Sequence, residues 1–264
     1  MDAVRDYYAS FDDREWQRLE SPEGRIEWTV TTGLLDRHLP ATGRVLDLGG
    51  GPGRYAEWLL DRGQRATLAD LSPNLLEIAR RRGRIEDIAE TDARDLSAWA
   101  DDAFDAVLAL GPFYHLTEAA DRDRATAEIL RVTRPGGLVA IAMMPWYAYL
   151  RRTISAPDEQ QHLADEAFVR DLRTGVLHND VPRRFTNGYG FRPEAIVPYF
   201  ERAGLSTITL VSTHGYATGL ETELMSMRES NPSGFEAAMR ILIETADDPA
   251  LFGTAGHLLY LGRA

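Results

Sequence analysis

Cysteine and lysine are both absent from this chain. Without a thiol there is no disulfide, no thiolate nucleophile and no cysteine-ligated zinc site. Without lysine there is no Schiff-base amine and no lysine of a phosphate-binding P-loop. All 29 basic residues are arginine, set against 41 acidic ones, and the resulting net charge of −12 argues against a nucleic-acid substrate, which calls for a basic footprint. No uninterrupted apolar stretch nears the ~18 residues of a membrane span and no targeting leader is visible, so a cytoplasmic protein without a membrane partner is expected. Repeats and low-complexity tracts are missing too. What is present is enough apolar material, 44% of 264 residues, to fill one core with insertions or a lid.

The most informative stretch is Val45-Leu46-Asp47-Leu48-Gly49-Gly50-Gly51-Pro52-Gly53, followed by a helical pattern with Tyr55, Trp58, Leu59 and Leu60. An aliphatic run, a glycine cluster and an amphipathic helix predict a strand, a tight turn and a helix N-terminus. Glycines let the backbone turn with positive φ and leave no side chain between its amides and a ligand. The free N–H groups of the helix start suit an anionic group. The loop is therefore expected to hold a nucleotide-like cofactor.

Two cofactors compete for it. The dinucleotide pattern G-x-G-x-x-G/A can be read only as Gly51-x-Gly53-x-x-Ala56, which begins three residues past the strand end at Leu48. Asp47-x-Gly49-x-Gly51-x-Gly53 instead resembles motif I of the class I S-adenosylmethionine-dependent methyltransferases. Ala66-Thr67-Leu68-Ala69-Asp70 then reads as a second strand, with Asp70 placed 17 residues after Gly53 to accept from ribose hydroxyls. Capping of the next helix is the alternative use of this segment, and it suits Ser72 before Pro73 better than Asp70. Glu90-Thr91-Asp92-Ala93-Arg94-Asp95-Leu96 resembles the family's adenine-binding segment, in which Asp92 would accept from the exocyclic amine. Phe104–Leu110 reads as a fourth strand, and Leu130-Arg131-Val132-Thr133-Arg134-Pro135-Gly136-Gly137-Leu138 is similar to the turn before the family's fifth strand.

The resemblance covers roughly residues 42 to 143. It implies an α/β fold, a doubly wound, Rossmann-like, mostly parallel sheet of seven strands, and S-adenosylmethionine as cofactor, with S-adenosylhomocysteine as product. Cofactor contacts are expected from Tyr8, Asp47, Gly49, Gly50, Gly51, Gly53, Asp70, Leu71, Asp92, Ala93 and Leu110.

The chain divides into an N-terminal helical lid at 1–41, the cofactor core at 42–143, an inserted cap at 144–192, and the rest of the sheet at 193–264 with a helical insertion at 217–248. Residues 144–192 are much longer than the ~2–6 residues of an ordinary connection in such units. One helical pattern runs from Tyr7 to Leu19, another from Ile26 to Leu35, and further helices are expected up to Ile154 and over Asp158–Thr174. Strand six is read at Thr207–Val211 and strand seven at His257–Leu261.

Methyl transfer needs alignment of an acceptor and, for an O–H or N–H acceptor, removal of a proton. His115, just past strand four, is the leading base candidate, with Tyr114 to orient the acceptor, and His178 and His214 as alternatives. Each lone histidine is equally at home as a surface or core residue. No histidine spacing suggests a chelate, so no metal site is expected. The aromatics Trp146, Tyr147, Tyr149, Phe185, Tyr189 and Phe191, with Arg151-Arg152 and Arg183-Arg184, suit an aromatic or anionic small-molecule acceptor. Tyr8 and Arg18 are further candidates for contact with cofactor or acceptor. The expected activity is methylation of a small organic molecule at carbon, nitrogen or oxygen, in secondary metabolism, by a protein compatible with a homodimer. A non-catalytic S-adenosylmethionine-binding module and an NAD-dependent oxidoreductase are the rival readings.

Overall fold

A computed structural model describes residues 2–9, 14–179 and 185–264. Among them nine strands join in one sheet: β1 (Arg44–Leu48), β2 (Arg65–Asp70), β3 (Asp87–Glu90), β4 (Phe104–Ala109), β5 (Thr133–Pro145), β6 (Val176–Leu177), β7 (Gly188–Phe191), β8 (Ser206–Ser212) and β9 (Leu258–Arg263). The helices are α1 (Asp2–Ala9), α2 (Arg14–Leu19), α3 (Pro22–Leu35), α4 (Arg54–Asp61), α5 (Pro73–Arg82), α6 (Ala119–Val132), α7 (Ala148–Ser155), α8 (Glu166–Thr174), α9 (Pro193–Arg202), α10 (Glu221–Ser230) and α11 (Pro232–Glu244).

The seven principal strands lie in the order β3-β2-β1-β4-β5-β9-β8. The first five pair in parallel, while β9 runs antiparallel to both β5 and β8. The reversal at β3-β2-β1 against β4-β5 makes a crevice at the carboxyl ends of β1 and β4, where ligands bind in open α/β sheets. The short β6–β7 hairpin adds to the far end of β5 through Met144↔Gly190 and Pro145↔Phe191.

Strand residues point alternately to the two faces, and both faces are covered, so the central strands are largely apolar. Val45, Leu68, Leu108, Ala140 and Leu261 face one way, against α3, α4 and α11. Leu46, Ala69, Val107, Ile141 and Tyr260 face the other, against Ile129 of α6 and Phe200 of α9. Burial of each large side chain here contributes about 1.5–3 kcal/mol. A third, smaller cluster of Met144, Tyr149, Phe168 and Leu177 gives the segment between β5 and α9 its own core.

Several expected helices are broken where local chemistry demands it. The stretch 217–248 is two helices, because Pro232 cannot continue α10 and Asn231 accepts from Gly234 N to start α11 afresh. Asp158–Thr174 is a 3-10 turn followed by α8, with extended backbone at Asp165, whose carboxylate meets His162 Nδ1 at 2.9 Å. The Tyr7–Leu19 pattern is two helices, α1 and α2, and its Phe11 lies outside the described residues. Ser72 does occupy the N-cap position of α5, but its side chain makes no capping bond. Arg82, at the end of α5, meets the dipole's negative end and also grips Glu57 of α4 through Nε at 2.6 Å and Nη2 at 2.8 Å.

Candidate active site

The glycine loop leaves β1 and turns over its neighbour. Gly49 N and Gly50 N donate to Ala69 O of β2, and Gly49 (φ +69°), Gly51 (φ +55°) and Gly53 (φ +86°) all take the left-handed region. A Cβ on Gly49 would come within 2.7 Å of Pro112, so this glycine lets the loops after β1 and β4 close on one another. Gly53 has a different task. A Cβ there would meet Ile85 at 2.5 Å, so it serves the packing of α4 beneath the loop.

Two aspartates brace this loop. Asp47 is fully buried, and its Oδ2 accepts from Ala56 N at 2.9 Å. Its other oxygen, Oδ1, has no hydrogen-bond partner among the described residues. Burial, opposed in part by the Ala56 amide and reinforced by Asp70, pushes its pKa up to about 7. Asp70, at the end of β2, accepts from Gly51 N and Ser72 N, both at 2.8 Å. It thus sets the shape of the loop as well as offering itself to a ligand.

These groups line one cavity. Its wall includes Gly49, Gly50, Gly51, Asp47, Asp70, Leu71, Ala93, Leu110, Tyr114 and His115, with Tyr8 from α1. His115 is buried, and desolvation lowers its pKa to about 4, so the ring is neutral near pH 7. Its Nε2 lies 3.2 Å from the Tyr8 hydroxyl. Ser72 Oγ, also on this wall, is a second buried polar atom with no partner among the described residues. Arg5, Arg54 and Tyr55, none of them among the expected site residues, line the same cavity. Arg54 directly follows Gly53 and could have been singled out on that ground; Arg5, tied to Glu90 at 3.0 Å, gave no local signal.

Asp92 and His178 are placed elsewhere. Asp92 is absent from the cavity wall, and its carboxylate accepts from Arg94 through the main-chain N at 2.9 Å, Nε at 3.0 Å and Nη2 at 2.6 Å. The Arg94 bonds, set against partial burial, hold its pKa below the usual carboxylate value. The adenine role expected of Asp92 therefore meets a carboxylate already engaged by a neighbouring cation, while Thr91 and Ala93 on either side reach the wall. His178 is exposed, holds Asp171 at 3.3 Å and lines none of the principal cavities, so the structure does not bring it to the site.

A second cavity of about 710 Å³ adjoins the first, and Tyr8, Arg18 and Tyr114 line both. Its walls carry Met144, Tyr149 and Phe185, with Arg151 and Arg152. Arg152 is paired with Glu159 at 3.2 Å, and Arg151 donates to Thr254 O. Glu27, His214 and His257 line it too, of which only His214 was expected as a candidate base. Arg183 and Arg184 lie outside the described residues. Trp146 and Tyr147 line a separate groove with Arg192 instead of the second cavity.

Among the described residues, no group of three or more histidine or acidic side chains is placed to hold a metal ion, and no helix is long and apolar enough to cross a membrane. The antiparallel β9 departs from the 3-2-1-4-5-6 sheet of dinucleotide-binding proteins.

Comparison with known proteins agrees with this architecture. Residues 46–141 match a family model described as a methyltransferase domain. Over 120 residues the chain is 40% identical to the methyltransferase GfsG of Streptomyces halstedii, covering 43% of this chain and 42% of that one. It is 32% identical over 172 residues to the demethylmenaquinone methyltransferase of Thermobifida fusca, covering 61% and 64%. The chain thus spans from about two fifths to just under two thirds of the length of these relatives. Among solved structures, the 1,6-didemethyltoxoflavin-N1-methyltransferase of Burkholderia thailandensis, with bound 1,6-didemethyltoxoflavin and S-adenosylhomocysteine, superposes with a TM-score of 0.56 at 15% identity, covering 99% of this chain and 87% of that one, a likeness of fold alone. Residues 46–141, which hold the glycine loop and the crevice above it, thus carry a methyltransferase domain.

Proposed function

We propose that this protein transfers a methyl group from S-adenosylmethionine to a small organic acceptor. The observation that carries the reading is the pair of adjoining cavities, one built on the glycine loop and one with aromatic walls, sharing Tyr8, Arg18 and Tyr114. When bound, the cofactor supplies an electrophilic methyl group on a sulfonium sulfur.

The residues of the first cavity fit that cofactor. Asp47 brings a buried acceptor without a partner among the described residues, suited to an ammonium group. Asp70 stands where ribose hydroxyls would be recognised, and the main chain at Gly49–Gly51 has no side chain to obstruct it. Leu71, Ala93 and Leu110 supply apolar wall for the adenine. Tyr114 and Tyr8, lining both cavities, are proposed to position the two reactants against each other, which is where much of the rate advantage of a two-substrate transfer originates. His115 is assigned to the cofactor wall as a neutral hydrogen-bonding group, since a pKa of about 4 makes it a weak base.

We further propose the segment 144–192, with the N-terminal helices, as the part that encloses the acceptor. The proposal includes a cytoplasmic location and a homodimer, checked by cell fractionation and sedimentation velocity. The central test is calorimetric titration with S-adenosylhomocysteine beside NADH. Micromolar binding of the former alone is expected; binding of NADH alone, or of neither, would overturn the reading. Cofactor binding without turnover of any acceptor would favour the non-catalytic alternative.

A further inference from the structure

We propose that Glu27 and His257 form a general-base dyad on the acceptor cavity, in which His257 takes the proton of a phenolic hydroxyl. The inference deepens the methyltransferase reading and rests on it.

The geometry is specific. Glu27, on α3, places Oε1 2.7 Å from Nδ1 of His257, just before β9. A carboxylate at this distance accepts from Nδ1–H and fixes the tautomer with the lone pair on Nε2. Nε2 has no hydrogen-bond partner among the described residues, and the ring lines the cavity. Tyr114 stacks on the imidazole at 5.5 Å with the planes 29° apart, joining the dyad to a residue that also lines the cofactor cavity. Burial acts to lower the His257 pKa, but the Glu27 carboxylate more than reverses this and holds it above the ordinary value. Burial acts to raise that of Glu27, and His257 reverses it, keeping the acid ionised. His257 is thus a stronger base than His115.

The walls indicate what the base acts on. Tyr149, Phe185 and Met144 offer an apolar, aromatic surface to a flat ring. A neutral aromatic acceptor enters without desolvating a charge. An aromatic amine is already neutral near pH 7 and gives the dyad no task, whereas a phenol must lose its proton to become a good nucleophile. In the transfer, the O–H bond breaks and its proton goes to Nε2 of His257. An oxygen lone pair forms the bond to the methyl carbon, the carbon–sulfur bond breaks, and its electron pair stays on sulfur and discharges the sulfonium. The imidazolium, paired with Glu27, then returns the proton to solvent. His257 is the catalytic residue and Glu27 positions it.

The test uses the full chain and the variants H257Q and E27Q, first titrated with S-adenosylhomocysteine. Equal affinity in all three is expected, since neither residue lines the cofactor cavity; no binding by the wild type would overturn the methyltransferase reading itself. The S-adenosylhomocysteine-loaded proteins then receive 4-nitrophenol. Wild type should ionise the bound phenol at lower pH than in free solution, and H257Q should abolish that shift. With methyl-labelled S-adenosylmethionine and a panel of phenols, aromatic amines, alkylamines and carboxylic acids, phenols should be methylated. H257Q should lower kcat about 100-fold or more with KM little changed. The groups facing His257 are Glu27, Glu23, Arg18, His214 and Tyr114. In the wild type the rate should rise with pH through a limb above the ordinary histidine value. E27Q should move that limb to lower pH, and H257Q should erase it. Failure of wild type to ionise 4-nitrophenol, methylation of the other classes only, or an unchanged limb in H257Q would overturn the dyad while leaving cofactor binding intact.

Discussion

The hydroxyl of Tyr8 on α1 lies 3.2 Å from Nε2 of His115, joining residues 107 positions apart across the wall of the cofactor cavity. Because His115 is neutral down to a pKa of about 4, the bond should persist from mildly acidic to alkaline pH. Tyr8→Phe should weaken S-adenosylhomocysteine binding about fivefold, near 1 kcal/mol for one lost hydrogen bond, read by calorimetry. An NMR titration should show the His115 ring unprotonated at pH 6; protonation near the ordinary histidine value would refute its assignment as a neutral wall residue.

Burial pushes the Asp47 pKa up to about 7, so a share of its carboxyl is expected to be protonated near neutral pH when its cavity holds no cation. An ammonium group beside it favours the ionised form, so S-adenosylhomocysteine should release a fraction of a proton on binding at pH 6 and bind more tightly as pH rises from 5 to 7. Calorimetry in buffers of different ionisation enthalpy measures the release. Asp47→Asn should abolish it. The sign for folding is opposite to that of an ordinary salt-bridged acid. A raised folded pKa means stability is greatest at or below the unfolded value and declines as pH climbs toward 7.

Asp70 and Asp92 should respond very differently to removal. Asp70→Ala loses the proposed ribose acceptor together with the bonds to Gly51 N and Ser72 N, and should reduce S-adenosylhomocysteine affinity by at least 100-fold. Asp92→Ala removes a carboxylate already held by Arg94 and should change affinity less than threefold, with its main cost in stability. A large loss of affinity in Asp92→Ala would restore the adenine role.

Gly51 and Gly53 separate space from conformation. Gly51→Ala meets only Leu75, at 3.6 Å, and should cost about 1 kcal/mol for its left-handed backbone. Gly53→Ala adds a collision with Ile85 to the same strain and should cost about 3 kcal/mol, read as a lower denaturant midpoint. Equal losses would show that packing beneath the loop does not matter.

The centre of the sheet was legible because β1, β2 and β4 are mostly apolar runs closed by Gly49, Asp70 and Gly111 at or within two residues of their ends, patterns carried by consecutive residues. The cavity over the glycine loop was legible for the same reason, since its central residues sit at those strand ends. The adjoining aromatic cavity was not. Glu27 and His257 are 230 positions apart and meet only because β9 inserts between β5 and β8, a pairing no local spacing reveals. The engagement of Asp92 was hidden for a smaller reason: the arginine two residues on turns back to claim it. His178 sat in the right segment, yet its exposed ring faces Asp171 instead of a cavity.

Where β5 ends, Pro145 lies beside Phe191 and Met144 beside Gly190. The described residues between them leave β5 and add only the short β6–β7 hairpin to the sheet before the chain comes back to the same point. The cost of closing such an excursion grows only with the logarithm of its length, so this stretch can be lengthened, shortened or exchanged with little effect on the strands beneath it. On the reading proposed above, a scaffold of this kind can change what it recognises by trading one cassette, without altering the register that builds the glycine loop.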